Sequence, residues 1–282
     1  MNQLFMTLLS GLFLFIFSCR TPESAEPAKQ PQTESRSAEN SATSIQRDFT
    51  VNPENILRDF STWYHYTHYT IRLAQDFIGL NTDSAAIHKA NFLTLLQTGN
   101  FVPFKTGEQD GKSVYKLYRL RQRNNDIVST IKLLAATEME HFKMEGNELP
   151  YYSFADLSGK RYSKVNTKGN TLLIKCWFIN CVACVKEFPE LNRLVDKYHH
   201  KNDLQFLSLA TDARDDLVSF LHKRVFKYVV VANAGEYMSE KLKISAYPTH
   251  ILVDKKGKIV KVTNSVDDMI PFLEKEIAET AL

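Results

Sequence analysis

Hydrophobic and polar positions change their period along the chain, and the changes divide it. Leu4–Phe17 is an apolar run with no charged side chain, short for a membrane span and about right for a signal-peptide core. Arg20–Gln46 has three Pro, five Ser and no aromatic residue, so it can bury almost nothing and reads as a disordered tether. At roughly 5–6 Å × √n, such a tether reaches some tens of ångströms. From Asp48 to Leu282 Trp, Tyr and Phe are spread throughout, as in a folded body. No apolar run after residue 18 approaches the roughly 18–20 residues of a span.

Between residues 47 and 150 the period is mostly helical. Ile56, Phe60, Tyr64, Thr67, Ile71, Ala74 and Ile78 recur every three or four positions after Pro53, which predicts one helix over Glu54–Leu80. A second helix is expected over Ser84–Gln97, ending at Gly99, and a third over Asp126–Met144 with Asn124 or Asn125 as its cap. Lys112–Leu120 alternates in the manner of a half-buried strand.

From Tyr151 the pattern turns to strands with helices between them. Phe154–Ser163 reads as a hairpin around Ser158-Gly159, and Asn170–Phe178 as a buried strand interrupted only by Lys175. A helix over Val182–His200, a strand over Leu204–Ala210, a helix over Asp215–Arg224 and a strand over Tyr228–Val231 follow. A short helix near Glu236–Leu242 leads to the hairpin Thr249–Val253/Lys258–Val262 about Lys256-Gly257, and Asp267–Glu279 is a last helix. The order predicts an α/β sheet covered on both faces.

Charge removes one class of function. Residues 47–150 carry 12 basic and 12 acidic side chains and residues 151–282 carry 20 and 16, with the lysines scattered. A nucleic-acid site shows a basic stripe on one face; none is visible, so no nucleic-acid partner is expected. A hydrophobic content of 44% excludes a disordered chain, and the lack of a repeat excludes a solenoid.

The chemistry sits in the cysteines: Cys19, Cys176, Cys181 and Cys184. Cys181 and Cys184 form a C-x-x-C pair at the junction of a buried strand and a helix. Free N–H groups and the positive dipole end of a helix N-terminus stabilise a thiolate, the species that attacks disulfides. The three-residue offset brings the second sulfur within bonding range of the first. Cys19 follows Ile16-Phe17-Ser18, an aliphatic residue at −3 and a small one at −1. That arrangement resembles the bacterial lipoprotein signal, in which the Cys is lipidated, although no Lys or Arg precedes the apolar run.

Trp177-Phe-Ile-Asn-Cys181-Val-Ala-Cys184-Val-Lys-Glu187-Phe-Pro189 resembles the TlpA/ResA group of exported thioredoxin-like thiol–disulfide oxidoreductases, which carry W-x-x-x-C-x-x-C-x-x-E-x-P. Tyr247-Pro248-Thr249 through Asp254-Lys-Lys-Gly257 resembles that group's cis-proline loop, strand and hairpin. The resemblance covers about residues 151–282 and is absent from 47–150. It implies a thioredoxin-like fold with a central mixed sheet flanked by helices. It further implies Cys181 as the attacking thiolate, Cys184 as the resolving thiol, a cis peptide before Pro248, and Trp177, Tyr247, Pro248 and Thr249 at the substrate. Glu187 is expected to relay a proton to Cys184. No cofactor beyond the Cys181–Cys184 disulfide and no metal is implied.

Some residues depart from the group or carry competing signals. Val182-Ala183 replaces Gly-Pro between the cysteines, and Lys175 stands where thioredoxins keep a buried acid. Lys175 either favours a thiolate nearby or extends its head outward. Cys176 reads as a small buried hydrophobe. His65 and His68 lack a third metal ligand at a recognisable spacing, His199-His200 suit a helix C-terminus, and Glu138, Glu140 and His141 do not form H-E-x-x-H. His250 with the two cysteines is similar to copper chaperones of the same fold superfamily, which use a wider cysteine gap. The peroxiredoxin pattern P-x-x-x-[ST]-x-x-C fits neither Cys181 nor Cys184.

The expectation is therefore a signal peptide (1–18), a tether (19–46), a mostly helical module (47–150) and a thioredoxin-like domain (151–282). The protein would sit in a bacterial periplasm or cell envelope, lipid-anchored through Cys19. It would reduce disulfide-bearing protein substrates and be recharged by a membrane thiol donor. The alternative is a peptide- or partner-binding module, or a copper chaperone, with little redox turnover.

Overall fold

A computed structural model describes residues 48–279. The apolar run Leu4–Phe17, Cys19 and the tether lie outside the described residues. Asn52 caps the short helix α1 (Pro53–Ile56) by accepting from the Glu54 N–H at 2.9 Å. Asp59 then caps a separate helix, α2 (Phe60–Thr70), accepting from the Thr62 N–H at 2.7 Å. The single helix expected over Glu54–Leu80 is thus three elements. The second cap restarts the helix, the Tyr115 hydroxyl accepts the Arg72 N–H just beyond its end, and Phe77–Leu80 is strand β1. Ile78 kept the helical spacing by coincidence.

Asn81 makes a side-chain turn to the Asp83 and Ala85 N–H groups, so the segment from Ser84 begins with strand β2 (Ala86–Ile87). Helix α3 spans Lys89–Gln97. The strands β3 (Phe101–Gln109) and β4 (Lys112–Arg119) form an antiparallel hairpin on Asp110-Gly111, both at positive φ (51° and 72°). Asp-Gly is a strong hairpin dipeptide, and it is the signal that could have revealed β3, a strand the sequence reading passes over. Pro103 obscured it, and is tolerated because β3 is the edge of the order β2-β1-β4-β3. Helix α4 (Asn125–Met144) is capped by Asn124, whose side chain accepts from the Asp126 and Ile127 N–H groups. Residues 48–150 therefore hold helices and a four-stranded sheet around Trp63, Phe92, Phe104 and Tyr115. They are less purely helical than the periodicity predicts.

The second sheet follows the expected order closely. A hairpin of β5 (Ser153–Ala155) and β6 (Arg161–Ser163) precedes the strand β7 (Thr171–Trp177), buried along its whole length. Pro189 divides the expected helix into α5 (Val182–Lys186) and α6 (Phe188–Tyr198); its ring has no N–H to continue the ladder. Strand β8 (Leu204–Ala210), helix α7 (Arg214–Leu221), strand β9 (Val229–Val231) and a π-helical turn (Tyr237–Lys241) come next. Strands β10 (Thr249–Val253) and β11 (Ile259–Thr263) and helix α8 (Val266–Glu279) complete it. The strand order is β11-β10-β7-β8-β9, with β7 parallel to β8 and antiparallel to β10. This is the mixed, helix-covered α/β sheet of the thioredoxin-like fold.

The change of pattern near Pro150 marks a change of architecture without a break in packing, and residues 48–279 belong to one compact unit. Residues 146–149 run antiparallel along the edge strand β11, where Gly146 N–H donates to Ile259 O, Ile259 N–H to Asn147 O and Leu149 N–H to Gly257 O at 2.8–2.9 Å. The Lys261 ammonium of β11 is buried against Glu145 (3.0 Å) and over the Phe272 ring (4.6 Å).

Candidate redox site

The site forms where β7 ends. Trp177 closes the strand, Phe178–Asn180 turn, and Cys181 becomes the N-cap residue of α5. Asp212 holds the turn by accepting the Ile179 N–H at 2.9 Å. The Cys181 sulfur accepts the Cys184 N–H at 3.1 Å, and the two sulfurs are joined in a disulfide of 2.02 Å. Cys181 retains 7% exposure and Cys184 none, so of the pair only the first residue keeps any surface. Val182 beside it is 81% exposed, an apolar side chain presented to solvent next to the disulfide.

Thr249 of β10 pairs with Cys176 of β7, which sets Tyr247-Pro248 against the end of β7 from which the cysteine loop departs. The Tyr247–Pro248 peptide is cis, as the resemblance implies. The Tyr247 ring meets Phe178 edge-on at 5.4 Å. Asn264, which has no sequence signature, donates from Nδ2 to Pro248 O (2.7 Å) and Thr249 Oγ1 (3.0 Å) and so ties down the loop.

Two residues expected at the substrate are elsewhere. Trp177 is fully buried, edge-on to Phe188 (5.1 Å) and Phe226 (5.6 Å), so it supports the loop from beneath. Thr249 is also fully buried, its hydroxyl donating to Ala246 O at 2.7 Å. The two come from different strands and opposite faces of the sheet, and both are buried because each face is covered by a core.

Lys175, Glu187 and His250 meet beneath the site. Lys175 does not extend outward: it is fully buried, with Nζ 2.5 Å from Glu187 Oε2. His250 Nε2 lies 2.9 Å from the same oxygen, and the Val266 N–H donates to Oε1 at 2.9 Å. Burial alone would raise the Glu187 pKa, but the hydrogen bond from His250, with the Lys175 ammonium beside it, outweighs it and pulls it down to about 2. Burial, then the Lys175 charge, lowers the pKa of His250, and burial lowers that of Lys175 against the pull of Glu187. His250, singled out for copper, is thus sequestered in the interior as a partner of Glu187. Cys176 lies on the opposite face of β7; burial pushes its thiol up to about 12, so it stays protonated and inert.

Residues 144–282 match the Redoxin family. Over 121 residues the chain is 31% identical to the thiol-disulfide oxidoreductase ResA of Bacillus thuringiensis subsp. konkukian, an alignment covering 42% of this chain and 69% of that one. The chain belongs to the ResA-like thiol–disulfide oxidoreductases. The ResA of Bacillus subtilis is 26% identical over 121 residues, covering 42% of this chain and 66% of its own. The thioredoxin domain of a thiol-disulfide oxidoreductase from Bacteroides vulgatus is 27% identical with a TM-score of 0.43, covering 46% of this chain and 96% of that one. Among the described residues of this ResA-like chain no helix is long and apolar enough to cross a membrane.

The buried trio makes the fold acid-labile. Glu187 has a folded pKa below its unfolded value, so its stabilisation is present above about pH 4.5 and is lost as pH falls toward about 2. His250 is likewise lowered; the unfolded chain takes up a proton below about pH 6.5 that the folded chain refuses, which again removes stability as pH falls. The thermal midpoint, followed by circular dichroism, is expected to drop steadily on acidification below about pH 6.5. The drop below about pH 4.5 should be shallower in Glu187→Gln; a midpoint unchanged down to about pH 4 would contradict the His250 assignment, and one unchanged down to about pH 3 the Glu187 assignment.

Proposed function

We propose that the protein is an exported reductase of protein disulfides, held to a membrane by a lipid on Cys19, with Cys181 as attacking thiolate and Cys184 as resolving thiol. The observation that carries this reading is that Cys181, the N-cap residue of α5, alone of the pair keeps exposed surface, while Cys184 is wholly buried. In the reduced protein the Cys181 thiolate attacks a substrate disulfide. A Cys181–substrate S–S bond forms, the substrate S–S bond breaks, and one substrate sulfur leaves as thiolate and takes a proton. Cys184 then attacks Cys181, forming the intramolecular disulfide and expelling the second substrate sulfur, which takes the Cys184 proton. Two electrons pass from the dithiol to the substrate, and a thiol donor at the membrane restores the dithiol.

Binding is assigned to Tyr247. Its backbone N–H and C=O have no hydrogen-bond partner among the described residues, so an extended substrate segment can pair with them. Phe178, Tyr247 and the exposed Val182 offer that segment an apolar bed. The copper reading loses support because His250 is committed to Glu187 in the interior.

The test is the reduction potential of the Cys181/Cys184 pair in glutathione and dithiothreitol buffers, with Cys181→Ser as control. A value near the thioredoxin end of the scale, about −270 mV, is expected for a reductase. A value near about −120 mV would make the protein an oxidant. The absence of a reversible couple would return the domain to the peptide-binding reading.

A further inference from the structure

One buried charge has no part in the disulfide exchange. Lys175 lies in the middle of the central strand, fully buried, with His250 on β10 and Ser208 on β8 as its register partners. A lysine seldom occupies such a place unless its ammonium is paired. Its partner, Glu187, comes from the junction of α5 and α6, three residues after Cys184. Residues at that offset share a helical face, with Cβ atoms about 5–6 Å apart. The carboxylate is therefore one helical step behind the resolving cysteine.

Its surroundings decide what it can do there. Two oxygens receive three contacts, at 2.5 and 2.9 Å on Oε2 and 2.9 Å on Oε1. One donor is a full cation and one is a backbone N–H that cannot be withdrawn. Burial and the Lys175 charge disfavour protonation of His250, and with Nε2–H directed at Glu187 the buried, unpartnered Nδ1 carries no proton, so the ring is neutral. The trio then sums to zero charge: one anion, one cation, one neutral ring. A proton relay needs a carboxylate able to bind and return a proton near the working pH. A carboxylate caged by three donors is held as an anion.

We propose that Lys175 is a positioning residue which, with His250, locks Glu187 as a permanent anion behind Cys184, so that the carboxylate is a charge-balanced fixture and does not accept the proton of the resolving thiol. The acceptor of that proton is the departing substrate thiolate: the Cys184 S–H bond breaks, the Cys181–Cys184 bond forms, and the expelled sulfur becomes a thiol. The inference rests on the Cys181/Cys184 redox reading. Lys175 on β7, His250 on β10 and Tyr228 leading into β9 are the titratable groups set against the carboxylate, with the Val266 N–H at the start of α8; Asp268 on the first turn of α8 is turned to Arg72 instead, at 3.5 Å. Tyr228 is buried with a pKa raised well above the usual phenol value, first by burial and then by Glu187, so it stays protonated and leaves the balance to Lys175.

Removing the cation should reverse the behaviour of the carboxylate. Lys175→Met keeps the length of the stem and leaves a buried anion without its counter-charge, which such a group relieves by binding a proton at higher pH. The potential of the full-length protein, followed from about pH 5 to 9, should then gain an inflection that the wild type lacks. The inflection should disappear again in Lys175→Met/Glu187→Gln. A Lys175→Met curve superimposable on the wild type, or an inflection that survives in the double variant, overturns the proposal. If Lys175→Met does not fold, the wild type decides alone. With carboxyl-13C glutamate, the Glu187 resonance, assigned by its loss in Glu187→Gln, should stay flat over the same range in oxidised and reduced protein. Titration of that resonance within the range, in either state, overturns the proposal. A wild type with no reversible couple defeats the redox reading instead, and the resonance still reports whether the carboxylate is locked.

Discussion

Cys181→Ser is expected to reduce disulfide exchange to the uncatalysed background, a fall on the order of 10³-fold or more, as for loss of other catalytic nucleophiles. A hydroxyl does not ionise at neutral pH, and the buried Cys184 cannot replace it because no part of its side chain reaches solvent. Cys184→Ser should behave differently. Cys181 still attacks, but nothing resolves the product, so the protein accumulates as a mixed disulfide with its substrate. Non-reducing electrophoresis after incubation with a disulfide-bearing protein distinguishes the two variants. Adducts in Cys184→Ser and none in Cys181→Ser are the expected result. Adducts through Cys184 alone would reverse the assignment of roles. Because trapping captures whatever protein is attacked, the same experiment in cells identifies the substrates.

A chain beginning at Tyr151 is expected to lose much of its stability, although it contains every residue of the redox site. It lacks the segment 146–149, and with it the hydrogen bonds that satisfy the edge of β11 at Gly257 and Ile259. It also lacks Glu145, the 3.0 Å partner of Lys261, and α4, which covers that side chain. Each lost backbone hydrogen bond is worth roughly 0.5–1.5 kcal/mol, and an uncovered strand edge invites pairing between copies. A fall in melting temperature on the order of 10 °C or more follows, several kcal/mol at about 2–4 °C each. Association at high concentration should accompany it. Calorimetry and size-exclusion chromatography of the two chains provide the comparison. Glu145→Ala in the full chain isolates one part of the effect, since a buried ammonium that loses its partner costs up to about 3–5 kcal/mol. A truncated chain as stable and monomeric as the parent would mean that residues 48–149 contribute nothing to the sheet and serve another purpose. They would then be the place to look for a partner site.

Much of the redox half was legible because its signals are local. A buried strand is a run of apolar residues, a hairpin needs Lys256-Gly257, and a C-x-x-C pair is useful only where a strand meets a helix. Leu204–Ala210 and Thr249–Val253 have the boundaries that their pattern predicts. The first hundred residues of the folded part were less legible because helical spacing persisted through a second cap at Asp59 and into a strand. Ile78 belongs to β1 because β4 offers it a parallel partner, Val114, and no local residue announces that pairing.

For the site the division has the same cause. Sequence alone placed the C-x-x-C pair where a strand meets a helix, and the resemblance to the TlpA/ResA group implied the Cys181–Cys184 pairing and the cis bond before Pro248, both of which the structure has. Tertiary structure alone decided that Trp177 and Thr249 face inward, that Asn264 restrains the proline loop, and that Lys175, Glu187 and His250 close on one another. Those three side chains come from β7, the α5–α6 junction and β10, separated by 12 and 63 residues along the chain. Their charges are tolerable only in each other's company, and only the folded sheet provides it.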